Sequence, residues 1–234
     1  MAIIHQTTLV PGKLELLAGW LPARAWYRPA GPAPDLARVG GFRLDDPAGE
    51  VGIEFMAVAD GRGDEVTTYQ VPLTYRAAAC AGAQAGLIGT AEHGVLGRRW
   101  IYDGMQDPLL AALLVALMQG DAEAQAQRVS DTPDPSVVCS PVAGGHLAVT
   151  GSAVAGDGPD GTDLRVTTSG PDGSAGGDLL VRVHRILRAE AGAGPGDGGP
   201  GRVAAPWQRL DGTQVRGVWA TAGPYRALAG GAAG

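Results

Sequence analysis

Alternation of apolar and polar positions marks the first elements of the chain. Thr67 to Tyr75 places Tyr69, Val71, Leu73 and Tyr75 on one face and Thr68, Gln70, Pro72 and Thr74 on the other. That period of two, carried by β-branched and aromatic residues, predicts a strand, and Pro72 suggests an edge or a bulge. Val51 to Ala59 predicts a second strand with both faces apolar, and Asp60-Gly61-Arg62-Gly63-Asp64 turns it into the first as an antiparallel hairpin. Ile3 to Val10, Phe42 to Asp45 and Gly97 to Asp103 predict further strands. Lys13 to Leu21 reads as a short helix, with Leu14, Leu17 and Leu21 on one face and Trp20 beside them, ended by Pro22. Arg28 to Gly41, rich in Pro and Gly, reads as a loop, and so does the Gly/Ala stretch before Gly97.

Asp107-Pro108 has the form of a helix start, an Asp N-cap followed by Pro at the first helical position. Leu109 to Met118 is apolar on every side, which predicts a helix buried all round. Gly120 breaks it, and Ala122 to Gln127 continues as a polar helix. Beyond Ser130 short strands at 146–150, 164–168 and 179–188 alternate with Gly/Asp/Pro/Ser loops. Residues 191 to 201 hold six glycines in eleven positions, a linker composition. Val203 to Ala220 forms a hairpin about Asp211-Gly212. The fold class expected is α+β: a curved antiparallel sheet wrapped around one buried apolar helix, with an extra C-terminal hairpin. Its expected division is a domain over 1–189, a flexible loop over 190–201, a hairpin over 202–221 docked on the same sheet, and a tail over 222–234.

Composition narrows the chemistry. The 234 residues carry 18 Lys and Arg against 24 Asp and Glu, a formal charge of -6, and no basic run, which argues against nucleic acid. The longest apolar run has ten residues, too short to span a bilayer. The N-terminus shows no secretory pattern, so a cytoplasmic protein with Cys80 and Cys139 as free thiols is expected. Asn is absent and Lys13 is the only lysine. No phosphate-binding glycine loop appears, and His184-Arg185-Ile186 echoes a kinase catalytic loop without its Asp. The four histidines lack metal-ligand spacing, and Asp157, Asp160 and Asp163 sit in a calcium-like turn whose twelfth position is Thr168 rather than Glu. Ser152 and Ser174 do not match a nucleophile elbow. No catalytic, cofactor-binding or metal-binding residue is therefore assigned. The candidate contact residues are the aromatic cluster Trp20, Trp26 and Tyr27, which either packs the short helix on the sheet or presents a face to a sugar or a partner.

The order of three motifs adds a resemblance. G-W-L-P-A-R-A-W-Y, then Tyr69, Val71, Pro72 and Leu73, then Asp103 with Asp107-Pro108 opening an apolar helix, resembles the N-terminal cap of actinobacterial maltokinases and of glucosamine kinases. The Arg, Ala, Gly and Pro bias is also that of a GC-rich genome such as those of actinobacteria. The resemblance implies a cystatin-like cap topology and covers roughly residues 1 to 190. Residues 178 to 187 are similar to the strand that carries the ATP-binding lysine in those kinases, with Arg182 at the lysine's place and no kinase lobe following. The chain thus resembles free-standing cap-like proteins. The expected function is a non-catalytic accessory or interaction role in α-glucan (glycogen), trehalose or amino-sugar metabolism, docking on a partner enzyme or on a second copy. The alternatives are a carbohydrate-binding module using Trp26 and Tyr27, and an enzyme of unidentified type. Neither nucleic acid nor membrane is expected as a partner.

Overall fold

In the computed structural model, residues 8–143, 145–190 and 201–226 are described. The expected strand residues 3–7, the glycine-rich stretch 191–200 and the tail residues 227–234 lie outside them. The described residues form β1 (Leu9–Val10), α1 (Lys13–Trp20), β2 (Leu36–Asp45), β3 (Gly52–Asp60), β4 (Thr67–Arg76), β5 (Leu87–His93), β6 (Gly97–Asp103), α2 (Pro108–Gln119) and β7 (Ala124–Ala126). After these come β8 (Val138–Ser140), β9 (Ala148–Asp157), β10 (Gly161–Ser169), β11 (Ala175–His184), β12 (Arg202–Gln208) and β13 (Gln214–Pro224). Short 3-10 turns, such as Leu21–Ala23 and Gly104–Gln106, join several of them.

All 13 of these strands belong to one antiparallel sheet, in the order β1-β5-β6-β4-β3-β2-β12-β13-β11-β10-β9, with β7 on β2 and β8 on β12. Two hydrogen-bonded seams join its N-terminal and C-terminal halves. At one, Gly40 of β2 faces Trp207 of β12. A Cβ on Gly40 would stand 2.9 Å from that of Trp207, so the approach requires glycine. At the other, the stretch following β11 pairs with β4: Tyr69 faces Ile186, and the Gln70 and Leu187 amides donate to Arg185 and Thr68 carbonyls at 2.8 Å. Hydrogen bonds therefore run in a closed circuit through β4, β3, β2, β12, β13, β11 and back to β4. Gln70, fully buried, ties the circuit from inside: with its amide turned toward the acceptors around it, its nitrogen reaches the Trp219 and His184 carbonyls at 2.9 and 3.1 Å.

This corrects the expected architecture of a curved, cystatin-like sheet wrapped around one buried helix. The large sheet dominates, and its apolar side chains form two clusters rather than one. Ile53, Phe55 and Ala57 of β3 join α2 and residues of β10 to β13 in the first. Met56 and Val58, on the opposite face of β3, join Leu17 and Trp20 of α1 with Trp26 and Tyr69 in the second. Nor is α2 buried all round. Asp107 caps it, accepting from the Leu109 amide at 3.1 Å, and Gly120 ends it with a left-handed φ of 83°. Leu110, Leu113, Leu114 and Leu117 are buried, but Leu109, Ala112 and Ala116 form a half-exposed stripe.

Other elements also depart from expectation. β2 begins at Leu36, inside the predicted loop, because β3 offers it a full-length partner. β5 replaces the predicted Gly/Ala loop over its length. The polar helix predicted over 122–127 is instead β7, held on Phe42 to Leu44 of β2.

Candidate functional site

Pro22 turns α1 into a single 3-10 turn, and the chain doubles back through the Tyr27 amide to the Arg24 carbonyl. This swings Trp26 under the sheet edge. The ring centroids of Trp20 and Trp26 lie 5.8 Å apart, those of Trp26 and Tyr69 5.9 Å, and those of Tyr27 and Tyr69 5.5 Å. Trp26 is 1% exposed and Trp20 9%. The buried Arg185 guanidinium lies 4.9 Å from the Trp26 ring, and Arg24 lies 4.7 Å from that of Trp20. Tyr27 is half-buried, and its hydroxyl donates to Asp60 at 2.7 Å. Burial first, then the Asp60 carboxylate, drives its pKa far above the ordinary phenol value. The structure thus brings the three predicted contact residues together, with both tryptophan rings inside the second apolar cluster.

The polar neighbourhood of that cluster is the seam between the halves. Asp160, in the β9–β10 turn, is its centre. Its Oδ1 accepts from Arg28 at 2.5 Å and its Oδ2 from Arg188 at 3.0 Å. Its carbonyl accepts from the Arg185 and Ile186 amides at 2.8 and 3.2 Å. Beneath it, Arg185 donates to Thr162 Oγ1 at 2.8 Å and Asp103 Oδ2 at 2.5 Å. A cavity of about 590 Å³ opens here, its wall including Asp160, Arg182, His184, Ile186, Arg188 and Glu190. Burial, reinforced by the Arg182 charge, lowers the His184 pKa and favours the neutral ring; its Nε2 is buried without a partner. A second cavity of about 500 Å³, which includes Arg28, Thr67, Thr68 and Arg209 in its wall, shares Ile186 and Arg188 with the first.

Sequence reasoning singled out the 184–186 run and the Asp157 to Asp163 turn, but did not bring them to one place. In the structure Asp157 accepts from Thr162 at 2.6 Å, Asp160 from Arg28 and Arg188, and Asp163 from Arg182 through two bonds of 2.7 and 2.8 Å. Arg182 thus makes a forked ion pair with its neighbour strand. Among the described residues no group of three or more His, Cys, Asp or Glu side chains could hold a metal ion, and no helix is long and apolar enough to cross a membrane. Cys80 and Cys139 are free thiols, and burial pushes Cys139 up to about 11.

A second polar node went unnoticed in the sequence. Glu54, on β3 and 3% exposed, receives Lys13 Nζ at 2.5 Å, Tyr75 Oη at 2.9 Å and Gln127 Nε2 at 2.8 Å. Burial works to raise this carboxyl, but the lysine and the hydrogen bonds hold it below the usual range. The only lysine of the chain therefore fastens α1 to the sheet.

A search of the curated proteins finds no match to the chain. Residues 20–107 match the family model described as the maltokinase N-terminal cap domain. The match starts at Trp20 of the aromatic cluster and ends at Asp107, the cap of α2. Over those residues the chain is similar to that cap domain.

Proposed function

We infer that this is a non-catalytic accessory protein of maltose, trehalose, α-glucan or amino-sugar metabolism, acting by docking on a partner enzyme. The observation that carries the reading is the match of residues 20–107 to a kinase cap domain. Burial of the aromatic cluster supports it over a sugar-stacking module. A stacking platform needs a ring face open to its ligand, whereas Trp26 is 1% exposed and faces Arg185.

Two assays test the reading. The purified chain is incubated with ATP, Mg²⁺ and maltose, trehalose or glucosamine, and products are followed by mass spectrometry. No phosphorylated sugar is expected; product that disappears on substituting Asp160 or Arg182 makes it an enzyme. The chain is then added to a maltokinase. A saturable change in the kinase's KM for ATP, with a one-to-one end point, is expected, and an unchanged KM rejects docking on such a kinase.

A further inference from the structure

The two seam cavities share Ile186 and Arg188 in their walls, so they are neighbouring lobes that meet along this stretch. Its charge is uneven. The smaller lobe gathers Arg28, Arg188 and Arg209 from three separate segments, against Asp211 in its own wall. One Asp160 carboxylate serves both Arg28 and Arg188, each through a single hydrogen bond. Arg209 makes no ion pair among the described residues. A guanidinium has five N–H donors in a planar fork that suits phosphate oxygens, so this lobe holds spare donors for a small anion. Thr67 and Thr68 add hydroxyl-bearing side chains to its wall.

The larger lobe differs. Asp160, paired with Arg28 and Arg188, and Glu190, paired with Arg202, keep carboxylate lone pairs that can accept from hydroxyls, while Pro159, Ile186 and Val218 offer an apolar surface. Acceptors beside a small apolar patch match the hydroxyl-bearing rim and C–H face of a sugar ring. A nucleotide base would look for an open aromatic face, and Trp207, the aromatic residue in the smaller lobe's wall, is 4% exposed.

We propose that the two adjoining seam lobes together form a binding site for a small phosphorylated sugar, its phosphate held among Arg28, Arg188 and Arg209 and its hydroxyls toward Asp160 and Glu190. Both halves of the sheet supply the walls, so the ligand binds only the closed circuit and stabilises it. This goes beyond the accessory role and stands without it.

The test is calorimetric titration of the full chain at low salt with α-D-glucose 1-phosphate, compared with inorganic phosphate, maltose and ATP. Glucose 1-phosphate is expected to bind saturably, one per chain, about tenfold or more tightly than any comparison ligand, and to raise the melting temperature. Arg209→Gln and Arg188→Gln are each expected to weaken it about tenfold. Arg209 is exposed, so Arg209→Gln should melt like the wild type and its loss of binding cannot be unfolding. Absence of saturable binding overturns the site, and so does unchanged affinity in Arg209→Gln. Equal affinity for inorganic phosphate, or tighter binding of ATP, overturns the assignment to a sugar phosphate. None of these outcomes bears on the maltokinase KM assay, so the two readings fail separately.

Discussion

Replacing Lys13 should cost more stability than replacing its partner, although the pair is the same. Glu54 sits in the sheet at 3% exposure, whereas the Lys13 side chain is 36% exposed. Lys13→Met strands a buried carboxylate. Removing one partner of a buried pair costs about 3–5 kcal/mol, and the surviving bonds from Tyr75 and Gln127 place this case near the lower end, about 3 kcal/mol. Glu54→Gln leaves a lysine that can turn its head to water, and costs about 1 kcal/mol. The double variant Lys13→Met/Glu54→Gln should therefore be more stable than Lys13→Met alone.

The pH dependence separates the two as well. In the wild type the folded Glu54 pKa lies below its ordinary 4.5. Its contribution is complete above that value and is lost as pH falls through the folded pKa. In Lys13→Met burial acts unopposed by the ammonium and raises the folded pKa above the unfolded one. The variant's deficit should then grow as pH rises from about 5 to about 7.5. Urea unfolding followed by circular dichroism at both pH values measures this. A Lys13→Met variant that loses no more than Glu54→Gln, or a deficit that is flat in pH, refutes the reasoning.

Two further substitutions probe α2. Leu113, 6% exposed, should not tolerate Leu113→Asp: an unpaired buried charge costs several kcal/mol against a total of about 5–15, and a cooperative melt like the wild type's would displace α2 from the core. Asp107→Ala removes the N-cap, two bonds of 2.7 Å from Arg76 and one of 2.9 Å from Thr74, about 3 kcal/mol in all. Burial tends to raise the Asp107 pKa, but Arg76 and Thr74 keep it lowered. Stability from this carboxylate is lost only as pH falls through that lowered value, so the variant's stability should fall less steeply with acid than the wild type's.

How much of this was legible in the sequence follows from the range of each interaction. The alternation of Thr67 to Tyr75 and the caps of α2, Asp107 and Gly120, are local signals, and both elements formed where those residues stand. β9 was mostly missed because Ala148 to Asp157 is small and polar; its hydrogen bonds to β10 specify it more than its side chains do. Residues 124–126 carry a weak helical pattern that the free edge of Phe42 to Leu44 overrides. The seam site was out of reach for a different reason. Arg28 and Asp160 are 132 positions apart and Arg188 lies 28 beyond Asp160, so no spacing rule joins them. Trp26 illustrates both levels: its aromatic cluster is visible in the sequence, but its burial depends on Arg185 from the other half.

That dependence makes a last prediction about the segment that resembles the kinase cap. Residues 20–107 contain β2 to β6 and none of the stretch that closes the circuit. Cutting the chain after residue 122 keeps α1 and α2 but removes Arg185 from the Trp26 ring, Ile186 from the edge of β4 and Trp219 from Phe42, 5.4 Å away. It also frees the β2 edge held by β7 and β12. A fully buried side chain of this size contributes about 3–5 kcal/mol, so uncovering Trp26, Phe42 and the α2 leucines together exceeds the stability of an ordinary domain. The fragment 1–122 should show no cooperative thermal transition and no near-ultraviolet tryptophan signal on its own. Mixing it with the fragment 123–234 should restore both, because the seam reforms between chains. A cooperative melt in fragment 1–122 alone would mean that the cap-like segment carries its own core and that the C-terminal half is an addition to it.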